Sequence, residues 1–170
     1  MTAPFLKGEA ICLRPLCKLD EDLYVRLHAS LQTMRHVSTP LDADTARERF
    51  AAACRLTVSS DPSYWVWTIF VSGHAEDAGI ASLMAGDTRA EIGMLLLPEW
   101  QGRGVGMQAV RRLTAYGFST LGVDRIESRQ RVGNVGWQRL MERSGFKRVE
   151  GAIMRAEWLT WRRDCDWSNR

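Results

Sequence analysis

The chain has 170 residues, of which 45% are apolar and 25% are charged, values typical of one soluble globular domain. Its net charge of +3 is too small to indicate nucleic-acid binding, and the N-terminus lacks the apolar core of a signal peptide. No apolar run is long enough to cross a membrane, so we expect a single domain over residues 1–170, located in the cytoplasm. The cysteines fit no zinc-binding spacing, and we expect no metal site.

Hydrophobic spacing and helix-capping residues predict a mixed α/β domain. A strand over residues 9–16 precedes a helical segment over 18–32, which has Asp20 as its candidate N-cap and places Leu23, Leu27 and Leu31 along one side. The predicted elements that follow are a helix at 42–56, strands at 63–73, 79–86 and 89–98, a helix at 105–121, a strand at 124–132, a helix at 134–145 and two closing strands at 146–154 and 155–163.

A glycine-rich loop, "QGRGVG" at residues 101–106, separates the strand at 89–98 from the helix that follows. The backbone N–H groups in the first turn of a helix have no partner within the helix, and the helix dipole adds partial positive charge there. Glycines allow an anion to approach these groups closely, so the loop predicts a phosphate site with Arg103 as a nearby positive charge. An ordinary flexible turn is the alternative interpretation.

Two common phosphate motifs do not explain this loop. The nucleoside triphosphatase pattern G-x-x-x-x-G-K-[ST] is absent from the sequence. Residues 104–109, "GVGMQA", formally match the dinucleotide fingerprint G-x-G-x-x-A, but the six residues 98–103, which begin with the proline that stops the strand, precede the first glycine of that match. Only 61 residues follow Ala109, too few for a full dinucleotide fold, so we interpret the match as accidental.

The ordered set of motifs resembles the GNAT acyltransferase superfamily, in particular the branch that contains ribosomal-protein N-acetyltransferases. "QGRGVG" is similar to the superfamily's Q/R-x-x-G-x-G/A coenzyme A motif, and "AEIGMLLLPEWQGRGVGMQAV" to the strand, loop and helix around it. "YGF" at 116–118 and "NVGWQRLMERSGF" at 134–146 are similar to the later helix and terminal G-F signature of that branch. The resemblance implies the GNAT fold, a mostly antiparallel twisted sheet flanked by helices.

The resemblance also implies acetyl-CoA as acyl donor and a primary amine, on a small molecule or a protein N-terminus, as acceptor. The protein is then expected to work without nucleic acid or membrane, and a homodimer is one arrangement the family adopts. The backbone at Leu95, Leu96 and Leu97 would pair with the pantetheine arm, and the Leu95 amide would bind the thioester carbonyl. The residues implied for the rest of coenzyme A are Gln101, Gly102, Arg103, Gly104, Val105, Gly106 and Asn134. Asn134 is equally well explained as a helix N-cap.

The implied chemistry also needs groups that transfer protons. An alkylamine, with a pKa of roughly 10, arrives protonated at neutral pH, so a base must remove the proton. Glu91 occupies a position where several members of the superfamily carry a general-base glutamate; a solvent-facing glutamate is the alternative. The usual acid positions hold Trp137 and Met141, which cannot protonate a thiolate usefully, and Tyr64, Tyr116 and Ser144 are weak substitutes.

Two hypotheses about function therefore remain open at this point. One is an acyl-CoA-dependent N-acetyltransferase in which the amine attacks the thioester directly. The other is a catalytically impaired acyl-CoA-binding module that acts as a sensor or partner. Core packing is the main interpretation of the tryptophans, and an aromatic-lined acceptor pocket is the alternative for four of them: Trp65, Trp67, Trp158 and Trp161.

Overall fold

The computed structural model describes residues 3–58, 63–149 and 157–166, and within them a seven-stranded sheet is flanked by helices. The order of the strands across the sheet is β1-β2-β3-β4-β5-β7-β6. Their bounds are β1 Ile11–Pro15, β2 Tyr64–Val71, β3 Gly79–Ala85, β4 Arg89–Leu96, β5 Arg125–Arg131, β6 Lys147–Arg148 and β7 Trp158–Asp164. The helices are α1 Glu21–Ala29, α2 Leu31–Met34, α3 Ala43–Thr57, α4 Val105–Tyr116 and α5 Val135–Arg143.

The predicted mixed, mostly antiparallel sheet is confirmed, and one parallel pair interrupts it. β4 and β5 run parallel, but their pairing covers only three positions, from Arg89 with Arg125 to Glu91 with Glu127. β5 then pairs with β7 over its whole length, while β4 stays with β3. The sheet therefore opens between β4 and β5 beyond residue 91, and this gap positions the site described below.

The predicted first helix is divided in two, because Ser30 has extended backbone angles (φ −80°, ψ 122°) and caps α2 through its side chain. Leu27 is fully buried, but Leu31 belongs to α2 and its side chain is 79% exposed. The expected apolar side with Leu23, Leu27 and Leu31 is therefore wrong at its last position. The predicted strand at 146–154 is reduced to β6, and residues 150–154 lie outside the described part.

The sheet face against α4 is formed by large aromatic side chains of β2. Trp65 and Trp67 are buried, and each makes an edge-on ring contact with Tyr116 of α4, at centroid distances of 6.1 and 5.7 Å. Trp161 of β7 is also buried. These three tryptophans belong to the core, and the alternative that placed them around an acceptor pocket is wrong for them. Among the described residues, no helix combines the length and apolar character needed to cross a bilayer.

Asp20 lies immediately before α1, as predicted, but its carboxylate does not cap that helix. The side chain is buried and accepts hydrogen bonds from Arg14 Nη2 at 2.6 Å, Arg14 Nη1 at 3.1 Å and the Cys17 backbone N–H at 2.7 Å. Burial alone would raise the pKa of Asp20, but the hydrogen bonds from Arg14 and Cys17 outweigh it, and the pKa is lowered below 3.8. Asp20 therefore fastens β1 to the start of α1 as an ionised group.

Replacing Asp20 by asparagine is expected to lower the free energy of unfolding by about 2 kcal/mol at pH 7, because Arg14 loses its buried partner and keeps only the more exposed carboxylate of Asp77, at 3.2 Å. The native pKa lies below the unfolded value of 3.8, so the contribution of Asp20 is complete above that pH and is lost as the pH falls through the native pKa. Urea denaturation of both proteins should show a constant difference from pH 8 to 5 that shrinks below about pH 4. Asp44→Asn, at a carboxylate that is 92% exposed and whose ion pair is with the likewise exposed Arg47, should change stability by less than about 0.5 kcal/mol.

Candidate active site

The backbone groups of β4 point alternately to β3 and to β5, because successive residues of a strand direct their N–H and C=O groups to opposite sides. The Gly86 N–H donates to the Arg89 carbonyl at 2.8 Å, so the backbone N–H and C=O groups of odd-numbered residues in β4 point to β3. The Thr88 carbonyl accepts from the Asp124 N–H at 2.8 Å, so the backbone groups of even-numbered residues point to β5. At the other end of the strand, the Leu97 N–H donates to the Ala78 carbonyl next to β3, in agreement with this alternation.

Met94 and Leu96 consequently direct their backbone groups into the gap, where β5 no longer pairs with β4. The Leu95 backbone instead faces Ile80 of β3, and a Cβ atom placed on Gly79 would collide with the Leu95 carbonyl oxygen on that side. The Leu95 N–H therefore points away from the gap, which disagrees with the prediction that it binds a thioester carbonyl. Leu97 is also unavailable for strand-like pairing, because its N–H binds Ala78 and its carbonyl accepts from the Trp100 N–H at 2.9 Å.

The glycine loop connects this open edge to α4. Gly102 and Gly104 have φ angles of +73° and +80°, in the left-handed region that other residues rarely adopt. Gly104 is the N-cap of α4, so the free N–H groups of the first helical turn follow directly after the loop. The Gln101 side chain donates to the Leu96 carbonyl at 3.1 Å and thereby ties the loop to the strand end. Arg103 lies over the Trp100 ring, at 5.6 Å from its centroid.

A cavity of about 420 Å³, here called the loop cavity, extends from the glycine loop along the open end of β4. Gly102, Gly104 and Gly106 line it on one side. Arg139 and Arg143 of α5 line it as well, and neither was predicted as a site residue. Their spacing of four residues, which places two side chains on the same face of a helix, was the signal that could have found them. Together these groups give the loop cavity the properties of a site for a phosphate-bearing ligand.

A second cavity of about 240 Å³, here called the inner cavity, lies over the face of the sheet opposite α4. Its lining includes Tyr24 and His28 of α1, Tyr64 of β2, Arg129 of β5 and Trp158 of β7. Trp158 is thus the one of the four tryptophans for which the pocket interpretation agrees with the structure. The two cavities share the lining residues His36, Val37, Met94, Leu95, Asn134 and Trp137. They adjoin at the open edge of β4, where a group bound in one can meet a group bound in the other.

His28 provides a neutral nitrogen base in the inner cavity, which the sequence analysis had assigned no role. Its Nδ1 lies 2.9 Å from the Tyr24 carbonyl oxygen, which can only accept, so Nδ1 carries the proton and Nε2 carries the lone pair, which no hydrogen bond between described residues uses. Burial lowers the pKa of His28, so the ring is neutral at pH 7. The ring stacks on Tyr24 with the centroids 4.0 Å apart, which fixes its orientation.

Glu91 forms an ion pair with Arg129 across the parallel strands. Arg129 Nε lies 3.1 Å from both carboxylate oxygens, and Nη2 lies 2.6 Å from Oε2. Both oxygens of Glu91 are thus occupied by one guanidinium, whereas Arg129 lines the inner cavity. The hydrogen bond and the charge of Glu91 raise the pKa of Arg129 above its ordinary value. The sequence predicted a role for the carboxylate of this pair and missed the guanidinium.

The groups around α5 divide between packing and cavity lining. Asn134 caps α5 by accepting from the Trp137 N–H at 3.2 Å, as predicted, and also lines both cavities. Trp137 donates its indole N–H to Ser128 Oγ at 3.0 Å, and Met141 is fully buried. Of the three hydroxyls considered as acids, only that of Tyr64 belongs to a residue lining the inner cavity. Among the described residues, no group of three or more His, Cys, Asp or Glu side chains could hold a metal ion.

A sheet that opens between two parallel strands, with a glycine loop and a helix N-terminus at the opening, agrees with the GNAT fold that the sequence resemblance implies. The chain belongs to the GNAT acetyltransferase family, because residues 10–147 match the family described as "Acetyltransferase (GNAT) domain". No curated protein sequence gives a significant match.

Solved structures show the same fold at low sequence identity. An acetyltransferase from Agrobacterium tumefaciens is 23% identical with a TM-score of 0.82, and the match covers 97% of this chain and 96% of that one. An acetyltransferase from Salmonella typhimurium, described as modifying the N-terminal serine of ribosomal protein L7/L12, is 18% identical with a TM-score of 0.81 over 96% and 100% of the two chains. RimL, the ribosomal L7/L12 acetyltransferase, in complex with coenzyme A is 20% identical with a TM-score of 0.77 over 95% and 98%.

Proposed function

We propose that this protein transfers the acetyl group of acetyl-CoA to a primary amine, by direct attack of the amine on the thioester. The observation that carries the proposal is the open backbone edge at Met94 and Leu96, which lies where the two cavities adjoin. Acetyl-CoA with its coenzyme A part in the loop cavity would bring its thioester to this edge, where an amine in the inner cavity can reach it. Membership of the GNAT family and the coenzyme A complex of RimL, which has the same fold, support this choice of donor.

Coenzyme A is expected to occupy the loop cavity. The pyrophosphate would accept hydrogen bonds from the amides of residues 101–106, where the left-handed glycines allow close approach. Arg139 and Arg143 would bind the remaining phosphate charge, since guanidinium groups pair well with phosphate oxygens. The Leu96 N–H would pair with the pantetheine arm as a neighbouring strand does. Asn134 would contact the coenzyme with the part of its amide that the N-cap hydrogen bond leaves free.

The Met94 amide is the group best placed to stabilise the reaction. The amine nitrogen forms a bond to the thioester carbon, and negative charge develops on the carbonyl oxygen. An N–H group fixed in a strand and directed at that oxygen stabilises the charge without reorganisation. The carbon–sulfur bond then breaks and the sulfur leaves as a thiolate. A thiol with a Cys-like pKa of roughly 8.5 can depart in this form, so the absence of an acid at Trp137 and Met141 does not prevent turnover.

The acceptor must lose one proton before attack and a second during it. Glu91 is the base that the sequence suggests. Because Arg129 binds both oxygens of its carboxylate, Glu91 would receive the proton through a water molecule rather than directly from the amine. His28 is the second candidate, because its neutral imidazole has a free Nε2 and lines the inner cavity. The products are the acetylated amine and coenzyme A, with the protons passed to solvent.

The first experiment is to measure release of the coenzyme A thiol from acetyl-CoA in the presence of primary amines, including peptide N-termini, polyamines, aminoglycosides and amino sugars. We expect acceptor-dependent release, and we expect Glu91→Gln to lower kcat by about 100-fold if Glu91 is the base, with little change in acetyl-CoA affinity. An unchanged kcat would remove Glu91 from this role and leave His28. Folded protein that binds acetyl-CoA but transfers nothing to any amine would favour the alternative, a binding module without turnover.

A further inference from the structure

Arg129 lies beside the proposed reaction centre. Glu127 is the last residue of β5 that pairs with β4, opposite Glu91, so Arg129 stands two residues further along, level with Gly93. Gly93 immediately precedes Met94, and successive residues of a strand are about 3.3 Å apart. Arg129 and Glu91 project from the same face of the sheet, which is the face that the inner cavity covers. Gly93 has no side chain, so nothing on β4 at this level separates Arg129 from the cavity.

The guanidinium of Arg129 keeps donors available after it has bound Glu91. A guanidinium has five N–H groups, and the ion pair uses the one on Nε and one on Nη2. None of the hydrogen bonds between described residues involves Nη1 of Arg129. Because Glu91 holds the planar group on its Nε side, the remaining donors keep a defined direction, and Arg129 loses less side-chain entropy when a ligand binds.

The charges around the inner cavity favour an anionic group on the ligand. None of its described lining residues is an aspartate or a glutamate, and Arg129 is the residue among them that carries a full positive charge. His28 is neutral, and Tyr64 and Trp158 add aromatic surface. The nearby Glu91 carboxylate has both oxygens bound to Arg129 and is not free for a cationic acceptor, whereas a carboxylate would find two further N–H donors of Arg129 in the fork geometry that suits it.

We propose that Arg129 binds a carboxylate on the acceptor, so that the substrates are small amines that also carry a carboxylate, and that Glu91 is the residue that positions Arg129. The proposal rests on the proposed acetyl transfer, since it assigns the second half of the same site. The amine would lie at the Met94 edge, and the carboxylate would lie over Gly93 against the free side of the guanidinium. The acceptors are thereby narrowed to amino acids whose amine and carboxylate can reach the Met94 edge and the Arg129 guanidinium at the same time.

The test compares ω-amino acids of increasing chain length, from glycine to 5-aminopentanoate, with alkylamines of the same length. For the wild-type protein we expect a lower KM for the amino acids and an optimum at one chain length. Arg129→Ala should raise the KM for amino acids by about 10- to 100-fold and leave the KM for alkylamines and acetyl-CoA unchanged. Arg129→Lys should recover part of the loss, because it restores the charge without the fork.

Glu91→Gln separates positioning from base catalysis in the same assay. A positioning role raises the KM for amino acids only, whereas a base role lowers kcat for both series. Two results would overturn the carboxylate site without affecting the proposal of acetyl transfer. One is an equal kcat/KM for amino acids and alkylamines in the wild-type protein, and the other is an Arg129→Ala change in KM that is the same for both.

If neither series is acetylated, the failure concerns the proposed function, and calorimetric titration of the coenzyme A-loaded protein with the same amino acids still decides the present proposal. Binding by wild type that Arg129→Ala abolishes supports it, and no binding by wild type overturns it.

Discussion

Replacing Gly104 by valine is expected to weaken acetyl-CoA binding by about 100-fold while the protein stays folded. The φ angle at this N-cap is +80°, where a β-branched residue is strongly disfavoured, so the chain must turn its peptide groups to relieve the strain. The N–H groups of the loop and of the first turn of α4 would then no longer converge on the pyrophosphate. Hydrogen bonds to a charged group contribute about 1.5–3 kcal/mol each, so losing one or two of them accounts for the expected change.

Gly122→Val is a matched control for this experiment. Gly122 also has a left-handed φ, +71°, and a Cβ atom there meets nothing within 4 Å, as at Gly104. It lies beyond the opposite end of α4, about 25 Å from the loop at 1.5 Å per helical residue. Both variants should lose similar stability by thermal denaturation, but only Gly104→Val should lose acetyl-CoA affinity by calorimetry. Full affinity in folded Gly104→Val protein would show that the loop does not bind the phosphates.

The features that the sequence predicted correctly depend on local requirements. The glycine loop has left-handed backbone at Gly102 and Gly104, and glycine is the residue type that adopts this conformation without steric cost, so its presence in the sequence indicates such a loop. Asn134 was identified as an N-cap because the capping hydrogen bond spans only three residues. Strand positions followed in the same way from β-branched and aromatic runs, which is why the sheet and its mixed class were predictable.

The errors concern properties that depend on pairing between distant segments. The register of β4 with β3 decides which amides of β4 point into the gap, and a shift of one residue reverses every direction. The sequence therefore could not show that the Leu95 N–H points to β3 and the Met94 N–H into the gap. The partner of Glu91 is 38 positions away in the sequence and meets it only because β4 and β5 run parallel. Asp20 illustrates the same limit. Its position before α1 was predictable, but that its carboxylate binds Arg14 instead of capping the helix depends on how β1 packs against α1 in the folded protein.

Replacing Met94 by proline is expected to lower kcat by about 100- to 1,000-fold, the range found when one donor to a developing oxyanion is removed. Proline has no backbone N–H, and elsewhere in a sheet it would break a ladder hydrogen bond. At Met94 the N–H points into the gap rather than to β3, so the pairing of β4 with β3 keeps all its hydrogen bonds. Acetyl-CoA binding should fall much less than kcat, because the glycine loop and the Leu96 N–H are untouched.

Two further variants make this result specific to the amide. Met94→Leu keeps the N–H and nearly the same side-chain volume, so it should retain kcat within a few fold. Leu95→Pro removes an N–H that faces Ile80 in the β3–β4 ladder, so it should lower the melting temperature markedly, which Met94→Pro should not. Single-turnover rates with saturating acetyl-CoA would measure the chemical step directly. A folded Met94→Pro protein with the wild-type rate would place the oxyanion donor elsewhere, and the alternation of backbone directions along β4 would then leave Leu96 as the neighbouring amide on the open side.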